Sequence, residues 1–248
     1  MQIKRGAIFI EKQQTPNTKE SPYYSIEDAE RVYNQDIASQ TQGYEITAKL
    51  IGYVIQKMKA EGIISGNVKI TGRIKSFRSA YENYKLKGKV IDDCFGIRII
   101  AQGEEDLSKI EQELRNFLTI YREKKHGDPN EKGYNAIHHM AYLSDKYVEG
   151  KEISRGLFPV IEIQYWTEDL ERMCNTGELA YSRYKDRDIS KIKKKYEEDP
   201  QSVLKGLPTY YKILGNSVSI LSREETLYTM YPELLEEDKT KDVEECDY

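Results

Sequence analysis

Asn67-Val68-Lys69-Ile70-Thr71-Gly72-Arg73-Ile74 alternates apolar and polar side chains one by one, the two-residue period of a half-buried strand. Upstream, Ile46, Leu50, Ile51, Val54, Ile55 and Met58 recur at helical spacing, so the chain changes its local structure near Asn67. Further β-like runs follow at Val90–Ile100, Tyr134–Leu143 and Leu157–Thr167. Helical patterns separate them around Ser76–Leu86 and through Leu107, Ile110, Leu114, Phe117 and Leu118. The order predicts an α/β protein of the α+β kind, a mixed sheet covered by helices. Working outward, residues 1–24 mix Gln, Thr, Pro and Lys and form an arm. Residues 25–66 hold two supporting helices, the first capped by Ser25. The core spans 67–200, helical from Glu168 to about Glu198, where Pro200 breaks it. Residues 201–232 form a C-terminal extension with a hairpin turning at Gly215-Asn216, and 233–248 an acidic, disordered tail.

Composition narrows the function. Among 248 residues, 38 Lys and Arg stand against 42 Asp and Glu, so any attraction to phosphate must be local rather than global. No apolar run approaches the roughly 20 residues of a membrane span, and no apolar signal core follows Lys4 and Arg5, which points to a cytoplasmic protein. Cys94, Cys174 and Cys246 are too widely spaced for a disulfide framework or a paired metal motif. With three histidines, a His-rich catalytic metal site is hard to build.

Three constellations carry chemistry. Between Ser65 and Arg98 lie eight basic residues and three acids, and Arg73 and Lys75, two apart at a strand end, project to one side. A helix starting at Ser76 adds backbone N–H groups, which together suit a polyphosphate. The bland alternative, a solvated basic face, is on base rates the commoner one. Asp93 precedes a strand, and Glu162 and Gln164 share one face of the run Pro159–Tyr165. Two carboxylates on neighbouring strands suit Mg²⁺, and a strand-start turn plus a surface salt bridge suits them equally. Tyr134 and His138, four apart after Gly133, offer a stacking surface for a nucleobase, or merely close the preceding loop.

Taken in order, Gly72-Arg-Ile-Lys-Ser-Phe-Arg-Ser79, Asp93-Cys-Phe-Gly-Ile-Arg98, Lys132-Gly-Tyr-Asn-Ala-Ile-His138, Glu162-Ile-Gln164 and Gly177 to Lys185 resemble the synthetase domain of the RelA/SpoT family. The resemblance implies a nucleotidyltransferase-like sheet and transfer of pyrophosphate from ATP to the 3′-hydroxyl of GDP or GTP, forming the alarmones ppGpp and pppGpp. It implies Arg73, Lys75, Ser79, Lys85 and Arg98 on ATP; Asp93 and Glu162 on Mg²⁺, Glu162 also helping to deprotonate the hydroxyl; and Lys132, Tyr134, His138 and Gln164 on the acceptor.

The pattern has departures. Asn83 stands where the family has a second ATP lysine, and Lys85 replaces it only if its helix ends early. Trp166 stands for an arginine and Tyr181 for a histidine, and parity parts Asp93 from Arg98 unless Gly96 marks a bulge. The sequence contains no His-Asp dipeptide, on which the family's hydrolase domain depends, so alarmone hydrolysis is not expected. The chain resembles a small stand-alone synthetase of the homo-oligomeric kind, short of room for ribosome-sensing regions. Two rival readings remain: a toxic enzyme that pyrophosphorylates the tRNA 3′ end through the basic stretch Arg183–Lys195, and a catalytically weak nucleotide-binding module whose working surface is Tyr210–Tyr231.

Overall fold

A computed structural model of the chain describes residues 25–87, 93–126, 136–147, 158–175, 189–231 and 234. The predicted arm (1–24), nearly all of the acidic tail, and Lys132, Tyr134 and Tyr181 lie outside them. A single helix, α1 (Ile26–Ala60), opens the fold, with the Ser25 side chain accepting from the Asp28 N–H. Two helices were expected, one from the Ser25 cap and one along the stronger stripe from Ile46. In the structure the buried stripe bridges that gap: Tyr33, partly buried Ile37, then Tyr44, Ala48, Ile51, Ile55 and Met58 all face inward.

Seven strands follow in one sheet: β1 (Val68–Ile74), β2 (Phe95–Ala101), β3 (Leu118–His126), β4 (Ala136–Leu143), β5 (Ile161–Thr167), β6 (Thr209–Leu214) and β7 (Ser217–Ile220). Their order is β3-β4-β5-β2-β1-β6-β7, and β2 and β5 are parallel while the other pairs are antiparallel. The helices between them are α2 (Phe77–Lys87), α3 (Glu104–Leu114), α4 (Glu168–Asn175), α5 (Ile189–Glu198) and α6 (Pro200–Lys205), and α7 (Arg223–Met230) follows β7. The mixed sheet flanked by helices agrees with the expected fold class. Leu118 opens strand β3 rather than ending a helix, because Arg115 already closes α3. The hairpin turns at Gly215, φ +56°, and its first strand pairs with β1, so the segment expected to be an extension completes the sheet.

The sheet has two unlike faces. On one, Ile70, Ile74, Phe95, Ile97, Ile99, Ile161, Ile163 and Ile213 form a core under α1 and α3. Burying each such side chain stabilises the fold by about 1.5–3 kcal/mol. Tyr44 is fully buried there, and its hydroxyl donates to the Gly96 carbonyl at 2.9 Å. It reaches that oxygen by crossing β1 at Gly72, where a Cβ would lie 2.1 Å from the Tyr44 Oη. The opposite face carries Arg73, Gly96, Arg98, Glu162, Gln164 and His138, and this polar side holds the candidate chemistry.

Candidate active site

Register assembles the site. Arg73 pairs with Gly96, Gly96 with Glu162 and Glu162 with Met140, while Arg98 pairs with Gln164 and Gln164 with His138. Directly paired residues share a face, so seven residues from four strands form two adjoining rows. Gly96 has no side chain to part Arg73 from Glu162. The register runs through it unbroken, so Gly96 does not mark the bulge that would have brought Asp93 and Arg98 to one face by parity. Asp93 precedes β2, where strand parity no longer governs its direction. It pairs with Lys75, whose backbone N–H donates to the Cys94 carbonyl at 2.9 Å.

Glu162 is the most constrained group. His138 Nδ1 lies 3.1 Å from its Oε1 and the Gln164 amide donates to Oε2 at 2.8 Å. Arg98 donates to Gln164 Oε1 at 3.0 Å while its guanidinium lies 3.5 Å from the Trp166 ring centroid. Burial alone would raise the Glu162 pKa. The His138 hydrogen bond and charge, the Arg73 charge and the Gln164 bond outweigh it and hold the carboxyl at about 2. His126, at the end of β3, places its ring 4.3 Å from that of His138, and burial lowers its pKa.

Beside these rows opens a cleft of about 450 Å³. Its walls carry Arg73, Lys75 and Arg78 from one side and Lys191 and Lys195 of α5 from the other, with Glu82 the one acid among the lining residues. Ser79 lines it, while Leu207, Pro208 and Tyr231 add apolar floor. Sequence reading had assigned Lys191 and Lys195 to a separate basic stretch. Only the return of the chain through α5 and α6 brings them opposite Arg73. The helix α2 runs to Lys87, so the early end required for Lys85 to replace Asn83 does not occur.

The rows bring together Arg73, Arg98, Glu162, Gln164 and His138. Lys75 and Asp93 pair at the adjoining strand end, and Ser79 lies across the cleft from α5. Such a site offers cations to a polyanion on one side, keeps a carboxylate ionised at its centre and presents hydrogen-bonding side chains on the other.

Residues 72–189 match the family model described as "Region found in RelA / SpoT proteins". A curated relative from Spiroplasma citri, Guanosine-3′,5′-bis(diphosphate) 3′-pyrophosphohydrolase, is 26% identical over 172 residues, covering 66% of this chain and 21% of the relative. The chain therefore spans about a fifth of that protein's length. Among solved structures, a GTP pyrophosphokinase family protein from Streptococcus pneumoniae is similar at 19% identity and TM-score 0.48, covering 69% of this chain and 87% of that one. The small alarmone synthetase 1 from Bacillus subtilis bound to its product pppGpp is similar at 17% identity and TM-score 0.49, covering 70% and 91%.

Proposed function

We propose, for a chain whose residues 72–189 match the model of the region found in RelA / SpoT proteins, that it is a pyrophosphokinase moving the terminal pyrophosphoryl group of ATP to the ribose 3′-hydroxyl of GDP or GTP. The products are ppGpp or pppGpp and AMP. The observation that carries this reading is the row Arg73–Gly96–Glu162, a cation and a partly buried carboxylate on one face with no side chain between them, flanked by a basic cleft and the His138–Gln164 pair.

In this reading the ATP triphosphate lies on Arg73, Lys75, Arg78 and Ser79, and the acceptor on the His138 and Gln164 side, with Lys132 and Tyr134 contributing as the resemblance implies. The 3′-oxygen attacks the β-phosphorus, the bond to the α-phosphate oxygen breaks, and AMP carries that oxygen away. Positioned cations supply most of the acceleration, as is general for phosphoryl transfer. The hydroxyl proton needs an acceptor. A carboxyl held at about 2 is a weaker one than the sequence reading supposed, and this favours Glu162 as an always-ionised ligand. When His138 donates its Nδ1 proton to Glu162, its Nε2 is the unprotonated nitrogen, and we assign the proton to it.

Asp93 and Glu162 fit Mg²⁺: both offer hard oxygen donors, Lys75 engages only Asp93 Oδ2, and each Glu162 oxygen keeps a lone pair beyond its present bond. When bound, such an ion neutralises charge on the phosphates. A second reading, transfer to the tRNA 3′ end, takes support from Lys191 and Lys195 on the cleft wall. Purified protein is incubated with Mg²⁺, labelled ATP and either GMP, GDP, GTP or bulk tRNA, with Asp93→Asn as blank. Label in GDP or GTP products supports the first reading, label in tRNA replaces it with the second, and label in neither overturns both.

A further inference from the structure

On the core side of β4, one residue along from His138 and facing the other way, His139 is fully buried, and neither ring nitrogen has a hydrogen-bond partner among the described residues. Its neighbours are acidic. Glu123 on β3 stands opposite it in register, and Glu111 reaches over from α3. His139 Nε2 lies 3.3 Å from Glu123 Oε2 and 3.6 Å from Glu111 Oε1, and the three ligand atoms lie within 4.8 Å of one another. These separations are long for an N–H···O bond, which centres near 2.9–3.0 Å. They match another geometry. Four ligands held tetrahedrally at about 2.0–2.1 Å from a metal are roughly 3.4 Å apart.

We infer that Glu111, Glu123 and His139 form a binding site for one divalent transition-metal ion, zinc being the type, with water completing the coordination. The donor set selects the class: an imidazole with two carboxylates suits Zn²⁺, Co²⁺ or Mn²⁺, whereas Mg²⁺ takes oxygen ligands alone. A positive group already occupies the spot. Arg115 Nη2 lies 2.6 Å from Glu111 Oε1 and 2.8 Å from Glu123 Oε2, the same two oxygens. Its side chain is 44% exposed at the C-terminal end of α3, so it can turn out to water when an ion enters. Metal and guanidinium compete for one seat. A bound ion would tie α3, β3 and β4 together directly behind His138, and this site is separate from the Asp93–Glu162 pair.

The test uses the full chain stripped with chelator and titrated with Co²⁺, whose visible absorption reports coordination, followed by competition with Zn²⁺. With Mg²⁺ in excess to fill the oxygen-only Asp93–Glu162 pair, one equivalent of Co²⁺ is expected to bind. Glu111→Gln and Glu123→Gln should each weaken binding by at least the roughly 10–100-fold that the loss of an outer-shell partner alone costs. Arg115→Gln should tighten it, and wild-type protein should gain melting temperature with Zn²⁺ while Glu123→Gln does not. Asp93→Asn and Glu162→Gln should bind as wild type, which excludes the ion sitting among His126, His138 and Glu162. His139→Gln alters the core, so the two glutamate variants, on partly exposed side chains, carry the test. Cobalt binding unchanged in both glutamate variants, or absent from both wild type and Arg115→Gln, would overturn the site and leave an arginine-bridged ion network.

Discussion

Glu162→Gln should flatten the acid side of the stability curve. The wild-type carboxyl sits at about 2 against an ordinary 4.5, and each pH unit of that gap is worth about 1.4 kcal/mol, about 3 kcal/mol in all. Because the folded value is depressed, this contribution is fully present above pH 4.5 and disappears as pH falls through about 2. Roughly 2 kcal/mol of it is gone by pH 3. The Glu162 side chain is only 14% exposed, so solvent screens it little. The glutamine cannot titrate. Its amide also meets either the His138 Nδ1–H or the Gln164 amide donor to donor, which costs about 1–3 kcal/mol at neutral pH. Urea unfolding followed by circular dichroism at pH 7, 5, 4 and 3 measures both proteins. The variant should start less stable and the gap should narrow by about 2 kcal/mol at pH 3. Parallel pH profiles would refute the partly buried, histidine-bonded carboxylate on which the site is built.

Arg73→Ala should lower kcat/KM for ATP by roughly 10²–10³-fold with little change in melting temperature, read by steady-state turnover. Lys191→Glu with Lys195→Glu should raise the KM for ATP about tenfold or more, since each surface charge near a phosphate is worth on the order of 1 kcal/mol, and added salt should shrink the difference. An unchanged KM would remove α5 from the ATP cleft. Gly72→Ala drives a Cβ to within 2.1 Å of the Tyr44 hydroxyl and should destabilise the fold by about 1–3 kcal/mol or more. Tyr44→Phe in that background should recover part of the loss, a coupling of about 0.5–3 kcal/mol in a double-mutant cycle by urea unfolding.

Much of the site was legible because strand parity is local. Glu162 and Gln164 share a face wherever their strand pairs, Arg73 and Lys75 stand two apart where β1 ends, and five spaced motifs pointed to one family. The Gly215-Asn216 turn and the Ser25 cap are likewise properties of a few adjacent residues. Strand β3 was missed since Tyr121–Lys125 is nearly all polar and exposed, a composition that reads as loop until β4 pairs with it. The His139 cluster left no signal, for its three members lie on three elements and an adjacent pair of histidines says nothing of which faces the core.

Sequence by itself settled the alternation of faces and the cationic start of α2, since these follow from side-chain order along one strand or one helix turn. Tertiary structure alone decided that Gly96 lies between Arg73 and Glu162, that His138 bonds Glu162, and that Lys191 and Lys195 face Arg73 across the cleft. Register and the return path of the chain are set by burying the Tyr44 and isoleucine core under α1. That burial is a sum over residues far apart in sequence, and no window of neighbouring residues contains it.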